Sequence, residues 1–168
     1  MKRLSICAAA LMLAVASGGA AAQQKSLKDQ MVGTWHFVIA EITAPDGKKS
    51  FPFGPKPRGM LIFTADGHFM QTHIASEVPK IANNNRLAAT PEEYAGIVRG
   101  SIALFGSYTV DEAKKTVTYK IVNSTFANWE GISQTRLIET LTDNELRHTN
   151  PDVGANRGSA TNYYKRRL

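Results

Sequence analysis

The stretch that most constrains this chain is PFGPKPRGMLIFTADGHFMQTHI, from Pro52 to Ile74. Gly54-Pro55-Lys56-Pro57 is turn-forming, and Gly59 opens an apolar run, Met60 to Thr64. Ala65-Asp66-Gly67 then carries an Asp-Gly pair, the composition of a two-residue type I′ hairpin, whose central residues both need positive φ. The run from Phe69 to Ile74 follows. Side chains alternate between the two faces of a strand, so Phe69, Gln71 and His73 share one face. If that face lines the inside of a closed sheet, the hairpin supplies both a wall and the polar groups of a pocket.

The N-terminus has the composition of an export signal. Lys2 and Arg3 precede an apolar segment, Leu4 to Ala16, that is shorter than the ~20 residues of a membrane span. Ala20-Ala21-Ala22 forms a small-residue cleavage site. Residues 1–22 are therefore expected to be a signal peptide and 23–168 one domain of an exported, periplasmic or secreted protein, with no stable membrane insertion after cleavage. Processing would remove Lys2 and Arg3, lowering the formal charge from +6 to +4. It would also remove Cys7, the sole cysteine, which excludes disulfides and thiol chemistry from the mature chain. The basic residues are scattered apart from Lys165-Arg166-Arg167, which reads as a solvated end. No basic stripe interleaved with stacking aromatics points to nucleic acid.

The remaining chain alternates strands and turns. TWHFVIAEI, from Thr34 to Ile42, places Trp35, Phe37, Ile39 and Glu41 on one face, and this aromatic-rich face is the one expected to point inward. Residues 75–89 read as a long connection. Thr90-Pro91-Glu92-Glu93 is a helix start, with an N-cap hydroxyl, a proline at the first helical position and acids in the first turn. This helix is expected to reach about Leu104, with Tyr94, Ile97, Val98, Ser101 and Leu104 or Phe105 along its apolar stripe. Short strands follow around Gly106–Val110, Thr116–Ser124, Ile132–Thr140, Glu145–Thr149 and Ser159–Arg166. About eight antiparallel strands with turn signals indicate a sandwich or barrel, and an up-and-down barrel removes the sheet edges that such a chain must hide.

Several motifs sharpen this expectation. Val32-Gly33-Thr34-Trp35 resembles the Gly-x-Trp opening of lipocalins. With PFGPKPRGMLIFTADGHF, TPEEYAGIVRG, FGSYTVDE, NSTFANWEG and the following QTR, in that order over nearly all of residues 23–168, the chain resembles the small bacterial and fungal lipocalin-like domain proteins. The resemblance implies an all-β fold: a lipocalin-like antiparallel up-and-down barrel of about eight strands, one inserted helix and an internal cavity. Related barrels include carriers and small isomerase- or cyclase-like enzymes. The chain departs from the family pattern at Tyr119, where a histidine is common, and at Ala127, where a proline often precedes the Asn-Trp pair. If the family histidine does chemistry, a phenol stands in its place here.

Folding the apolar faces inward brings Glu41, Gln71, His73, Tyr108, Tyr119, Gln134 and Arg136 to the inner wall. Such groups are costly in a dry core but can orient a ligand in a pocket. His73 is either a general base, since imidazole titrates near neutrality, or a hydrogen-bonded strand-end residue. Arg136 either forms a buried pair with Glu41 or holds a ligand carboxylate or enolate. Tyr108 and Tyr119 are hydrogen-bond donors to a ligand or ordinary strand tyrosines. Trp35 reads as a plug at the closed end. Phe37 and Phe69 offer apolar wall, and Trp129 with Phe126 is either core or pocket edge. His68, His36 and His148 are expected outside or near turns. No histidine spacing suggests a metal site, and no Gly-rich phosphate loop or G-x-S-x-G elbow suggests a nucleotide enzyme or serine hydrolase, so no cofactor is expected. The expected function is binding of a small hydrophobic or amphipathic molecule by a monomer or weak homodimer. The alternative is a cofactor-independent isomerase, cyclase or lyase in which His73 or Glu41 moves a proton while Arg136 and Tyr119 stabilise an oxyanion.

Overall fold

The central hairpin forms as strands β3 (Arg58–Phe63) and β4 (His68–Ile74), paired from Arg58↔Ile74 to Phe63↔Phe69. Its turn differs from the expected two-residue type. Thr64 N–H donates to the His68 carbonyl at 2.9 Å and Gly67 N–H to the Thr64 carbonyl at 3.1 Å. In this turn Gly67 alone takes positive φ, +92°. This is a three-residue loop in which only the glycine must be left-handed. The Thr64 hydroxyl, bonded to the Asp66 carboxylate, holds Asp66 in the ordinary region.

The computed structural model describes residues 25–154 and 156–166. The expected signal peptide lies outside them. A short helix, α1 (Leu27–Met31), precedes β1 (Gly33–Thr43) and the two-residue β2 (Lys49–Ser50). After β3 and β4 come α2 (Pro91–Gly100), β5 (Ser101–Asp111), β6 (Thr116–Ser124), a 3₁₀ turn at Ala127–Trp129, β7 (Ser133–Leu141), β8 (Glu145–Asn150) and β9 (Ser159–Lys165). Each strand from β3 to β8 pairs antiparallel with its successor, β1 pairs with β3, and β9 returns to β1. The result is a closed eight-stranded barrel, with β2 appended to β1.

Closure explains one correction to the sequence reading. The first part of β1, Gly33 to His36, pairs with β3, whereas His36 to Thr43 pairs with β9, with a bulge between Phe37 and Ile39. A bulge inserts one residue and reverses the alternation beyond it. Trp35 and Phe37 are buried, and so is Ala40, but Ile39 and Glu41 are turned outward. The Glu41 carboxylate sits 2.8 Å from Lys49 Nζ of β2, so its expected place on the inner wall is overturned.

The inserted helix begins as expected. Thr90 and Glu93 form a reciprocal capping box, with Pro91 in the first turn. It ends at Gly100, four residues earlier than the periodicity suggests, because Ser101 onward joins the ladder with β4 from Ser101↔Ile74. The anticipated apolar stripe does not hold as one buried face: Val98 is 73% exposed and Tyr94 is also exposed, while Leu104 is buried as part of β5. In Ser-Ile-Ala-Leu-Phe, strand pairing wins over helical period.

One end of the barrel is closed by α1. Met31 and Trp35 are fully buried there, and the Trp35 indole N–H donates to the Met31 carbonyl at 2.7 Å. Glu112 accepts from the Leu27 and Lys28 N–H groups, satisfying the open start of α1. Arg166 is not the solvated residue suggested by its basic neighbours. Its guanidinium lies 3.9 Å over the Trp35 ring and donates to the Val32 carbonyl at 2.9 Å and to the Gln30 carbonyl. The plug expected at Trp35 is therefore clamped by the residue that follows β9. No helix among the described residues is long and apolar enough to cross a membrane.

Candidate functional site

Strand direction places the polar interior away from α1. β4 starts and β7 ends at the α1 end, so His73 and Gln134 lie toward the opposite mouth. Alternation in β4 turns Phe69, Gln71 and His73 inward, as expected from the sequence, and each is almost fully buried. In β6 the inward residues are Val117, Tyr119 and Ile121, and in β7 they are Gln134, Arg136 and Ile138.

His73 stacks on Phe37 with ring centres 3.7 Å apart, meets the edge of Phe53, and places Nε2 2.8 Å from the Tyr164 hydroxyl. Burial, with a smaller contribution from the nearby Arg136 charge, pushes its pKa down to about 3. The ring is therefore neutral at physiological pH, and its hydrogen-bonded place suits orientation better than proton abstraction.

Tyr119 stacks on Phe69 at 4.3 Å, and its hydroxyl lies 3.4 Å from His148 Nε2. Burial drives both away from their charged forms: the phenol pKa rises and the imidazole pKa falls well below its ordinary value. His148 corrects the sequence reading. It was expected outside or near a turn, yet it is fully buried. The available signal was alternation in the last two strands: Leu146 and His148 share the inner face of β8, opposite Tyr164 and Asn162 of β9. Tyr164 and Asn162 went unrecognised for the same reason.

Arg136 joins these parts. It is 4% exposed, and its guanidinium lies 4.3 Å over the Tyr119 ring. Nη1 donates to Gln71 Oε1 at 3.3 Å and Nη2 to Gln134 Oε1 at 2.8 Å. Arg136 Nε and His148 Nδ1 are buried with no hydrogen-bond partner among the described residues. The ion pair considered with Glu41 is not formed, since Glu41 faces outward to Lys49. The other ion pairs among the described residues, such as Arg147–Glu139 and Lys165–Glu145, lie on the outer surface and do not include Arg136.

The remaining candidates divide. Tyr108 is buried toward the α1 end, where its hydroxyl donates to the Thr64 carbonyl at 2.9 Å, so it braces the hairpin. Trp129, in the 3₁₀ turn, packs edge-on against Phe126 at 5.5 Å. It also borders a concavity of about 380 Å³ at the mouth, with Ser133, Gln134, Thr135, Asn150 and Asp152. Gln134 thus touches this opening and the buried guanidinium at once. Among the described residues no group of three or more His, Cys, Asp or Glu is placed to hold a metal ion.

The arrangement is rich in hydrogen-bond donors, holds one buried cation and has neutral imidazoles. It can orient an acceptor-bearing molecule among aromatic rings.

No curated protein matches the chain. Among solved structures, a lipocalin-like protein from Bacteroides uniformis aligns over 81% of this chain and 98% of its own, at 16% identity and a TM-score of 0.44. A redesigned β-barrel aligns over 86% of this chain and 100% of its own, at 13% identity and a TM-score of 0.43. Residues 32–163, from the Val-Gly-Thr-Trp opening to the last strand that closes the barrel, match the lipocalin-like domain family, and the chain belongs to that family.

Proposed function

We propose that this exported barrel binds one small, largely hydrophobic molecule through the mouth opposite α1. The observation that carries the reading is the ring of buried polar groups on the inner wall. Gln71, His73, Arg136 and His148 occupy inward positions that apolar side chains would fill at lower cost. Aromatic faces of Phe37 and Phe69 beside them supply apolar surface, the usual composition of a small-molecule site. The enzyme alternative needed His73, Glu41 and Arg136 around one point, and Glu41 lies on the outer wall.

The test is untargeted mass spectrometry of a small-molecule extract from the native host, incubated with the mature protein. A compound retained unchanged at about one per chain supports binding. A compound consumed beyond that ratio, with His73→Ala inactive, would replace the binding reading with the enzymatic one.

A further inference from the structure

The buried guanidinium names a ligand class. Of its five N–H donors, one on Nη1 serves Gln71 and one on Nη2 serves Gln134, while Nε has no partner. Nε and Nη2 lie along one edge of the planar group, the side-on fork that receives two oxygens of a carboxylate. One prong of that fork is unpartnered. The other is held by Gln134, a half-buried side chain that also borders the mouth concavity. Among the described residues no nearby group supplies negative charge: Tyr119 and Tyr164 are held as neutral phenols by burial, His73 and His148 are neutral, and Glu41 faces outward. His148 Nδ1 adds a second unpartnered polar atom within the same barrel interior. A cation buried without a counter-charge is costly unless its partner comes from outside.

We infer that the ligand is a small apolar or aromatic monocarboxylate whose two oxygens take Arg136 Nε and Nη2, displacing Gln134 from Nη2. This rests on the binding reading above and adds the charge of the ligand. Gln134 is then a positioning residue that occupies the second prong until the ligand arrives.

The test compares 2-naphthoate, cinnamate and decanoate with their methyl esters by calorimetric titration of the mature protein at pH 7 and physiological salt. At least one acid is expected to bind tenfold or more tightly than its ester. Arg136→Met should abolish that preference. Arg147→Met, which removes a surface charge, should leave the preference intact. Gln134→Ala should strengthen acid binding by removing the competing carbonyl. An independent readout on the unmutated protein is the ¹⁵N–¹H resonance of Arg136 Nε, expected to shift on titration with the acid and not with the ester. If esters bind as tightly as acids, the carboxylate inference is overturned while the binding reading stands. If acids and esters both fail to bind and the Nε resonance stays fixed, the carboxylate inference is overturned, and the extract experiment decides the binding reading separately.

Discussion

The double substitution Arg136→Met with Gln71→Leu should make the ligand-free protein more stable, although it deletes a buried hydrogen-bonded pair. Arg136→Met alone forfeits the 2.8 Å bond to Gln134, the longer bond to Gln71 and the 4.3 Å stacking on Tyr119. Together these contribute about 4 kcal/mol. It also leaves Gln71 Oε1 buried without its donor, a further cost of about 2 kcal/mol. Against this stands the desolvation of an uncompensated guanidinium, several kcal/mol in a protein interior. The opposing effects nearly cancel, so the single variant should lie within about 1 kcal/mol of the parent, far from the roughly 3–5 kcal/mol typical of breaking a compensated buried pair. Adding Gln71→Leu removes the orphaned carbonyl and should tip the balance to a gain of about 1–2 kcal/mol. For a domain of this size that is a rise in Tm of roughly 3–6 °C. Thermal melts by circular dichroism and urea titrations with unchanged slope would measure it. A double variant more than about 2 kcal/mol less stable than the parent would refute the reasoning, because the charge would then be compensated within the barrel.

Other outcomes follow from the same structure. His73 binds its proton near pH 3 in the folded barrel and near 6.5 when unfolded, and His148 is shifted in the same direction. The unfolded chain therefore takes up protons first, so this stability is complete above about pH 6.5 and is lost as pH falls toward 3, with the His73 share about 2 kcal/mol at pH 5. His73→Phe should flatten that part of the profile in urea titrations between pH 7 and pH 5, and an unchanged slope would contradict the assignment. Arg166→Met should cost about 2–4 kcal/mol by removing the Trp35 stack and two bonds to backbone carbonyls, read as a lower urea midpoint. A midpoint equal to the parent's would return Arg166 to the role of a solvated residue. Gly59→Ala should abolish folding or cost about 3 kcal/mol or more, since its Cβ would lie 2.0 Å from the Thr72 carbonyl oxygen at φ +150°. A soluble variant with parental Tm would show that β3 and β4 can separate there.

The sequence by itself determined the faces of strands that run without interruption. Phe69, Gln71 and His73 on β4, Val117, Tyr119 and Ile121 on β6, and Gln134, Arg136 and Ile138 on β7 all point inward, as period-2 alternation requires. It also determined the capped start of α2, because Thr90, Pro91 and Glu93 act within one turn. The tertiary structure decided where alternation breaks. β1 must leave β3 and close against β9, and the bulge that allows this turns Glu41 away from Arg136. The end of α2 was likewise set by the ladder between β4 and β5, and the burial of His148 by the pairing of β8 with both neighbours. Local periodicity orders side chains only relative to their own strand. Which face becomes the inside, and where one extra residue must be absorbed, is fixed when the barrel closes between residues far apart in the chain.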